Sequence, residues 1–174
     1  LVAVPFFLVL FFVFEMALAL FRQEALDSAL HLAARQVQTG NAQNIANGSA
    51  FVQKFLCPAA QGLLDCNTLF INVQRISFTA GQDFYDVTSG ALPASGASLD
   101  LSGFSSAGFC NAGPSEFLLL TAVYVAPSLL GGLLPNVLSV QYQGSSVHAT
   151  LSQLATYSEG YTPTAATRTA AAGC

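Results

Sequence analysis

The chain has 174 residues, 53% of them hydrophobic and only 8% charged, with a net charge of −4. That length fits one modest domain, but a charged share near a quarter is usual for soluble proteins, so a freely soluble monomer is not expected. Five Lys and Arg residues scattered along the chain cannot form the basic stripe on which nucleic-acid affinity depends, and no nucleic-acid partner is expected. No CxxC, GxGxxG or GxxxxGK[ST] pattern occurs; zinc, dinucleotide and P-loop readings have no anchor, and no metal or cofactor is expected.

From Leu1 to Phe21 only Pro5 and Glu15 interrupt a run of Leu, Val, Ala, Phe and Met. A run of that length matches the roughly 20 residues a helix needs to cross a hydrocarbon core. A secretory signal would have a shorter apolar core, a charged start and a small-residue cleavage site. Here the helical pattern instead continues past Phe21. Ala25, Leu26, Ala29, Leu30, Ala33, Ala34 and Val37 recur at three- and four-residue steps, with Arg22, Gln23, Asp27, His31, Arg35 and Gln38 on the other side. Leu1 to about Gln38 therefore reads as one helix of two halves, in segments 1–21 for lipid and 22–40 for the amphipathic continuation, which Thr39, Gly40 and Asn41 bring to a stop. At about 1.5 Å per residue it would be on the order of 55 Å long. Pro5 either kinks the helix or sits in its first turn. Glu15 either reaches the headgroups or awaits a partner, because a bare carboxylate at mid-span costs roughly 2.5–3.5 kcal/mol.

Residues 41–174 read as an extracytoplasmic head. After a polar connector, a short helix is expected over 49–56 with Ser49 as its N-cap. Strand patterns follow at 69–78, 117–126 and 147–157. In the first, Leu69, Ile71 and Val73 alternate while Ile76 and Phe78 fall out of phase, which predicts a bulge near Gln74 and Arg75. The second is apolar on both faces, as a central strand would be. Between them, 88–113 is rich in Ser, Gly, Ala and Asn and reads as a long loop, of a length usually tied to function or interaction. Residues 162–174 form a low-complexity tail. A long helix followed by a few antiparallel strands is an α+β arrangement.

Of the three ways to pair Cys57, Cys66, Cys110 and Cys174, the local loop favours Cys57–Cys66, leaving Cys110–Cys174 to hold the tail. The larger loop would contribute about 4 kcal/mol in the chain-entropy account. Disulfides imply a periplasmic or extracellular setting.

Catalytic constellations are lacking. His148 in a strand pattern and His31 on the polar helix face read as surface or satisfied histidines. Asp83 and Asp86, beside Phe84 and Tyr85, read as turn chemistry. Enzyme activity is not expected. Asn47-Gly48-Ser49 fits a glycosylation sequon.

The pattern Glu15-x6-Arg22-Gln23-x-x-Leu26-Asp27-x-Ala29-x3-Ala33-Ala34-Arg35-x3-Thr39-Gly40 resembles the N-terminal helix of TadE-like proteins, pseudopilins of the tight-adherence (Tad, type IVb Flp) pilus system. Leu1, Val2 and Pro5 resemble the tail of that family's opening segment. Cys57 and Leu64-Asp65-Cys66 ahead of the strand at Leu69 are similar to its cysteine pair and first strand, and Glu116 to Pro127 with Tyr124 to its central strand. Tyr157-Ser158-Glu159-Gly160-Tyr161 is similar to its ending, with Gly160 in place of Pro. The resemblance implies a pilin-like α+β fold, insertion in the bacterial inner membrane and cleavage by a prepilin peptidase. It further implies incorporation into a surface pilus alongside other pilin subunits, through the pilus assembly machinery. Pro5, Glu15, Arg22, Asp27 and Arg35 are then the candidates for helix packing and assembly, and Tyr157, Glu159 and Tyr161 for surface interaction. A pilus-tip adhesin, a minor assembly factor and a single-pass membrane-anchored periplasmic protein are the alternatives.

Overall fold

A computed structural model describes residues 3–42, 45, 47–60, 62–76, 96–104, 109–110, 116–128 and 139–158. Helix α1 runs from Ala3 to Gln38 without a break. Its sequence explains the continuity: after Pro5 no Gly or Pro occurs until Gly40, and Ala and Leu dominate. It ends where Gly40 takes a left-handed φ of 78° and donates its N–H to Val37 O at 3.1 Å. Arg35 lies in the last turn, where a cation complements the helix dipole.

A second helical segment is built from α2 (Gly48–Phe51), a π-helical stretch (Val52–Leu56) and α3 (Cys57–Ala59). Its N-cap is Asn47 rather than Ser49. The Asn47 side chain accepts the Ala50 N–H at 2.9 Å, which places the cap two residues earlier than expected. Gly48 fits there because its backbone lies against the first strand: a Cβ on it would be 3.2 Å from Ile71 O.

Among the described residues four strands, β1 (Leu69–Arg75), β2 (Phe117–Pro127), β3 (Val140–Tyr142) and β4 (Ser145–Tyr157), form one antiparallel sheet in the order β1-β2-β4-β3. The bulge expected near Gln74 and Arg75 does not occur. The β1–β2 register is continuous from Leu69↔Tyr124 to Arg75↔Leu118, and Ile76 still donates to Phe117 O. Ile76 is buried beside this unbroken ladder, and Phe78, the other residue out of phase, lies outside the described residues. β2 is an interior strand with nine successive buried residues, Leu118 to Ala126.

Two apolar layers explain that burial. On one face, Leu26, Leu30, Ala33, Ala34 and Val37 of α1, with Phe51 and Leu56, pack on Leu69, Ile71 and Val73 of β1 and on Leu118, Leu120 and Ala122 of β2. On the other, Leu99 and Leu101 cover Val123, Val125, Val140 and Val147. The described part of the 88–113 stretch thus packs on the sheet through Leu99 and Leu101. It also occupies both sheet edges. Leu99 donates to Gln141 O at 2.8 Å and Gln141 donates to Ala97 O at 2.9 Å along β3, while Cys110 donates to Val73 O at 2.9 Å along β1. Unpaired edges invite association with other chains, and this strap fills part of both.

Candidate functional site at the helix–head junction

Along α1 the first buried residue is Glu15, and the next is Leu26. From Ala3 to Phe14 every residue is exposed except the half-buried Leu10. Phe6, Val9 and Phe14 remain 60%, 64% and 57% exposed. A water-facing helix surface of this kind is not stable in isolation, since each large apolar side chain left uncovered forgoes about 1.5–3 kcal/mol. α1 is long and apolar enough to cross a membrane, and among the described residues nothing in the head covers this half.

At Glu15 exposure falls to 8%. Its Oε1 lies 2.7 Å from His148 Nε2 and accepts the Ser128 hydroxyl at 2.9 Å. Ser128 follows the last residue of β2, and His148 sits on β4 opposite Ala126, so the sheet's own register brings the two donors to one point. With a protonated imidazole the contact is an ion pair; with a neutral one protonated at Nε2 it is a hydrogen bond. The carboxylate keeps a partner in either case, and so avoids the cost of an unsatisfied buried charge.

Two turns further on, Gln23 repeats the docking. Its Nε2 donates to Leu151 O at 2.9 Å and approaches both carboxylate oxygens of Asp27 at 3.3 Å. Glu15 and Gln23 thus pin α1 alongside β4 at His148 and Leu151. The outward side of the same stretch is uncovered: Met16, Leu18, Leu20 and Phe21 are exposed, and the polar face begins with Arg22 and Glu24.

The other residues singled out in the sequence are distributed as follows. Pro5 falls in the first described turn of α1, exposed. Arg22 is half-buried and Arg35 exposed, while Asp27 is held by Gln23 within α1. Cys57 and Cys66 form a disulfide with Cα atoms 5.6 Å apart. Cys110 is buried and also disulfide-bonded. Tyr157, half-buried, packs its ring 4.9 Å from Phe117, its register partner. Asn47 caps α2 with the side chain that the sequon would modify. Asp83, Asp86, Glu159, Tyr161 and Cys174, together with the tail from 162, lie outside the described residues.

Ser128 has no signal in the sequence, and that of His148 goes no further than a surface or satisfied histidine. Among the described residues no three His, Cys, Asp or Glu side chains gather as metal ligands would. Asp100, on the strap, has its carboxyl held below the ordinary aspartate range by the backbone N–H of Ser102, helped by the Ser102 hydroxyl. No protein-family model, curated protein or solved structure matches the chain.

Proposed function

We propose that the chain is a structural, pilin-like subunit of a bacterial surface pilus of the tight-adherence type. On this reading its N-terminal helix holds it in the inner membrane after prepilin-peptidase processing, and the assembly machinery then packs that helix among other pilin subunits. The role is structural and not catalytic.

The observation that carries the reading is the division of one continuous helix. Residues 26–37 bury one face under the head's own sheet, whereas residues 3–14 are apolar all round and uncovered by the head. Such a half-helix is served by lipid before assembly and by neighbouring helices after it. Lipid tails are about as apolar as Leu, so the exchange itself has little hydrophobic driving force and packing detail must decide it.

The pairing of Glu15 with His148 and Ser128 favours a second reading, a single-pass membrane-anchored periplasmic protein, because the carboxylate then needs no neighbouring subunit. Electron microscopy of material sheared from cells producing the chain separates the readings. A continuous helical lattice with this chain in every subunit is the expected result. Density confined to filament ends would assign a tip role, and membrane-bound chain with no filament would leave the anchored protein.

A further inference from the structure

At the level of Glu15 to Phe21 the helix has two unlike sides. Inward, Glu15 meets Ser128 and His148 of the head. Outward, Leu18, Leu20 and Phe21 are exposed, with Leu20 69% and Phe21 53% accessible, and polar residues take over only at Arg22 and Glu24. The head is therefore docked beside a stretch of helix whose free face is still apolar. The step from Glu15 to Phe21 is about 9 Å at the rise of an α-helix, which matches the roughly 5–10 Å to which apolar faces enter the headgroup and acyl boundary.

We propose that the end of the head around Glu15, Ser128 and His148 sits within the polar interface of a phospholipid bilayer, with Leu18, Leu20 and Phe21 facing lipid beside it. This rests on the reading of residues 3–14 as a membrane segment and goes beyond it, because an anchor alone would allow the head to stand clear of the surface. Three observations commit the face to lipid. The exposed side of residues 16–21 continues the all-round apolar surface of residues 3–14 without a polar break. Its end coincides with the change to polar residues at the half-buried Arg22 and the exposed Glu24. Glu15, the carboxylate of this part of the helix, is shielded by two donors from the head, as a charge near hydrocarbon requires. The head thus supplies Glu15 with its partners at the level where lipid would penalise it.

The chain contains no tryptophan, so a single Trp reports its own depth. Phe7→Trp, Phe21→Trp and Phe117→Trp each replace an exposed aromatic. Phe117 opens β2, whose other end meets Ser128, roughly 33 Å away at strand rise. Each full-length variant is placed in phosphatidylcholine–phosphatidylglycerol vesicles carrying bromine at shallow or deep acyl positions. Expected are at least twofold quenching of Phe7→Trp by deep bromines, at least twofold quenching of Phe21→Trp by shallow ones, and none for Phe117→Trp. If Phe7→Trp is quenched while Phe21→Trp behaves like Phe117→Trp, the anchor stands and the embedded head is overturned, whether the head stands clear or another subunit covers the face. Strongest quenching of Phe21→Trp by deep bromines overturns the interfacial placement as well. Absence of quenching at Phe7→Trp removes the membrane reading and this inference with it.

Discussion

Glu15 Oε1 and His148 Nε2 lie 2.7 Å apart although 133 residues separate them in the chain. The contact joins the acidic interruption of the apolar helix to the strand along which that helix lies. The contact is the outermost point at which the head holds the helix: toward the N-terminus nothing described covers it, and toward the C-terminus its core-facing stripe begins at Leu26.

Removing one partner should destabilise the head. His148→Ala leaves a buried carboxylate with one donor fewer, and the cost of an unsatisfied buried group is about 1–3 kcal/mol. Glu15→Gln, which keeps an acceptor for Ser128 and His148, should lose less than Glu15→Ala. Urea unfolding in detergent, followed by tyrosine fluorescence, checks the order. Equal stability of all three variants and the parent would show that the contact contributes nothing.

Glu15→Ala should also separate insertion from assembly. The variant keeps its apolar helix and is expected in the membrane fraction at the parent's level, but with a less firmly held head it should give fewer filaments. Filament yield equal to the parent's would remove Glu15 from the assembly step.

The local disulfide has a size that can be tested. Cys57 and Cys66 are nine residues apart, and closing a loop that short is worth about 2.5 kcal/mol in the chain-entropy account. The Cys57→Ser, Cys66→Ser double variant should melt several degrees lower in a calorimetric scan, and an unchanged midpoint would contradict this.

The strap predicts a solubility effect. Leu101 is 7% exposed and belongs to the second apolar layer. Leu101→Asp places an unpaired charge there and should release the segment from both sheet edges, so light scattering of the detergent-solubilised variant should show association beyond the parent's. A variant that remains as dispersed as the parent would argue that the strap does not protect the edges.

Asp100 gives the strap a pH dependence of known sign. Its carboxyl is lowered by the Ser102 backbone N–H and then by the Ser102 hydroxyl. The stabilising contribution is therefore present above the ordinary aspartate range and lost as pH falls through the lowered folded value. Titration of the Asp100 carboxyl carbon by NMR should show a midpoint below that of an unstructured aspartate, and a midpoint at or above it would contradict the assignment.

Much of this architecture is legible in the sequence where the signal is periodic and local. The stripe from Leu26 to Val37 predicts both the helix and the face that is buried, because helix burial repeats every three to four residues. The apolar run at 117–126 predicts an interior strand for the same kind of reason. β3 leaves little trace in the sequence because it is three residues long and its turn uses Gln143 and Gly144, with φ of 49° and 80°, and not the Asn-Gly pair that usually marks such turns. Leu99 and Leu101 look isolated among Ser and Gly, and only the curvature of the chain shows that both face the sheet. Ser128 and His148 become site residues through strand register, which no single stretch of sequence encodes.

The central claim is that the uncovered half of α1 is held by lipid. Extraction of membranes at alkaline pH tests it most directly, using cells that produce the full chain and a variant carrying Phe7→Arg and Phe11→Arg. The account predicts that the parent stays in the membrane pellet and that the variant is released. Recovery of the parent in the soluble fraction would contradict it.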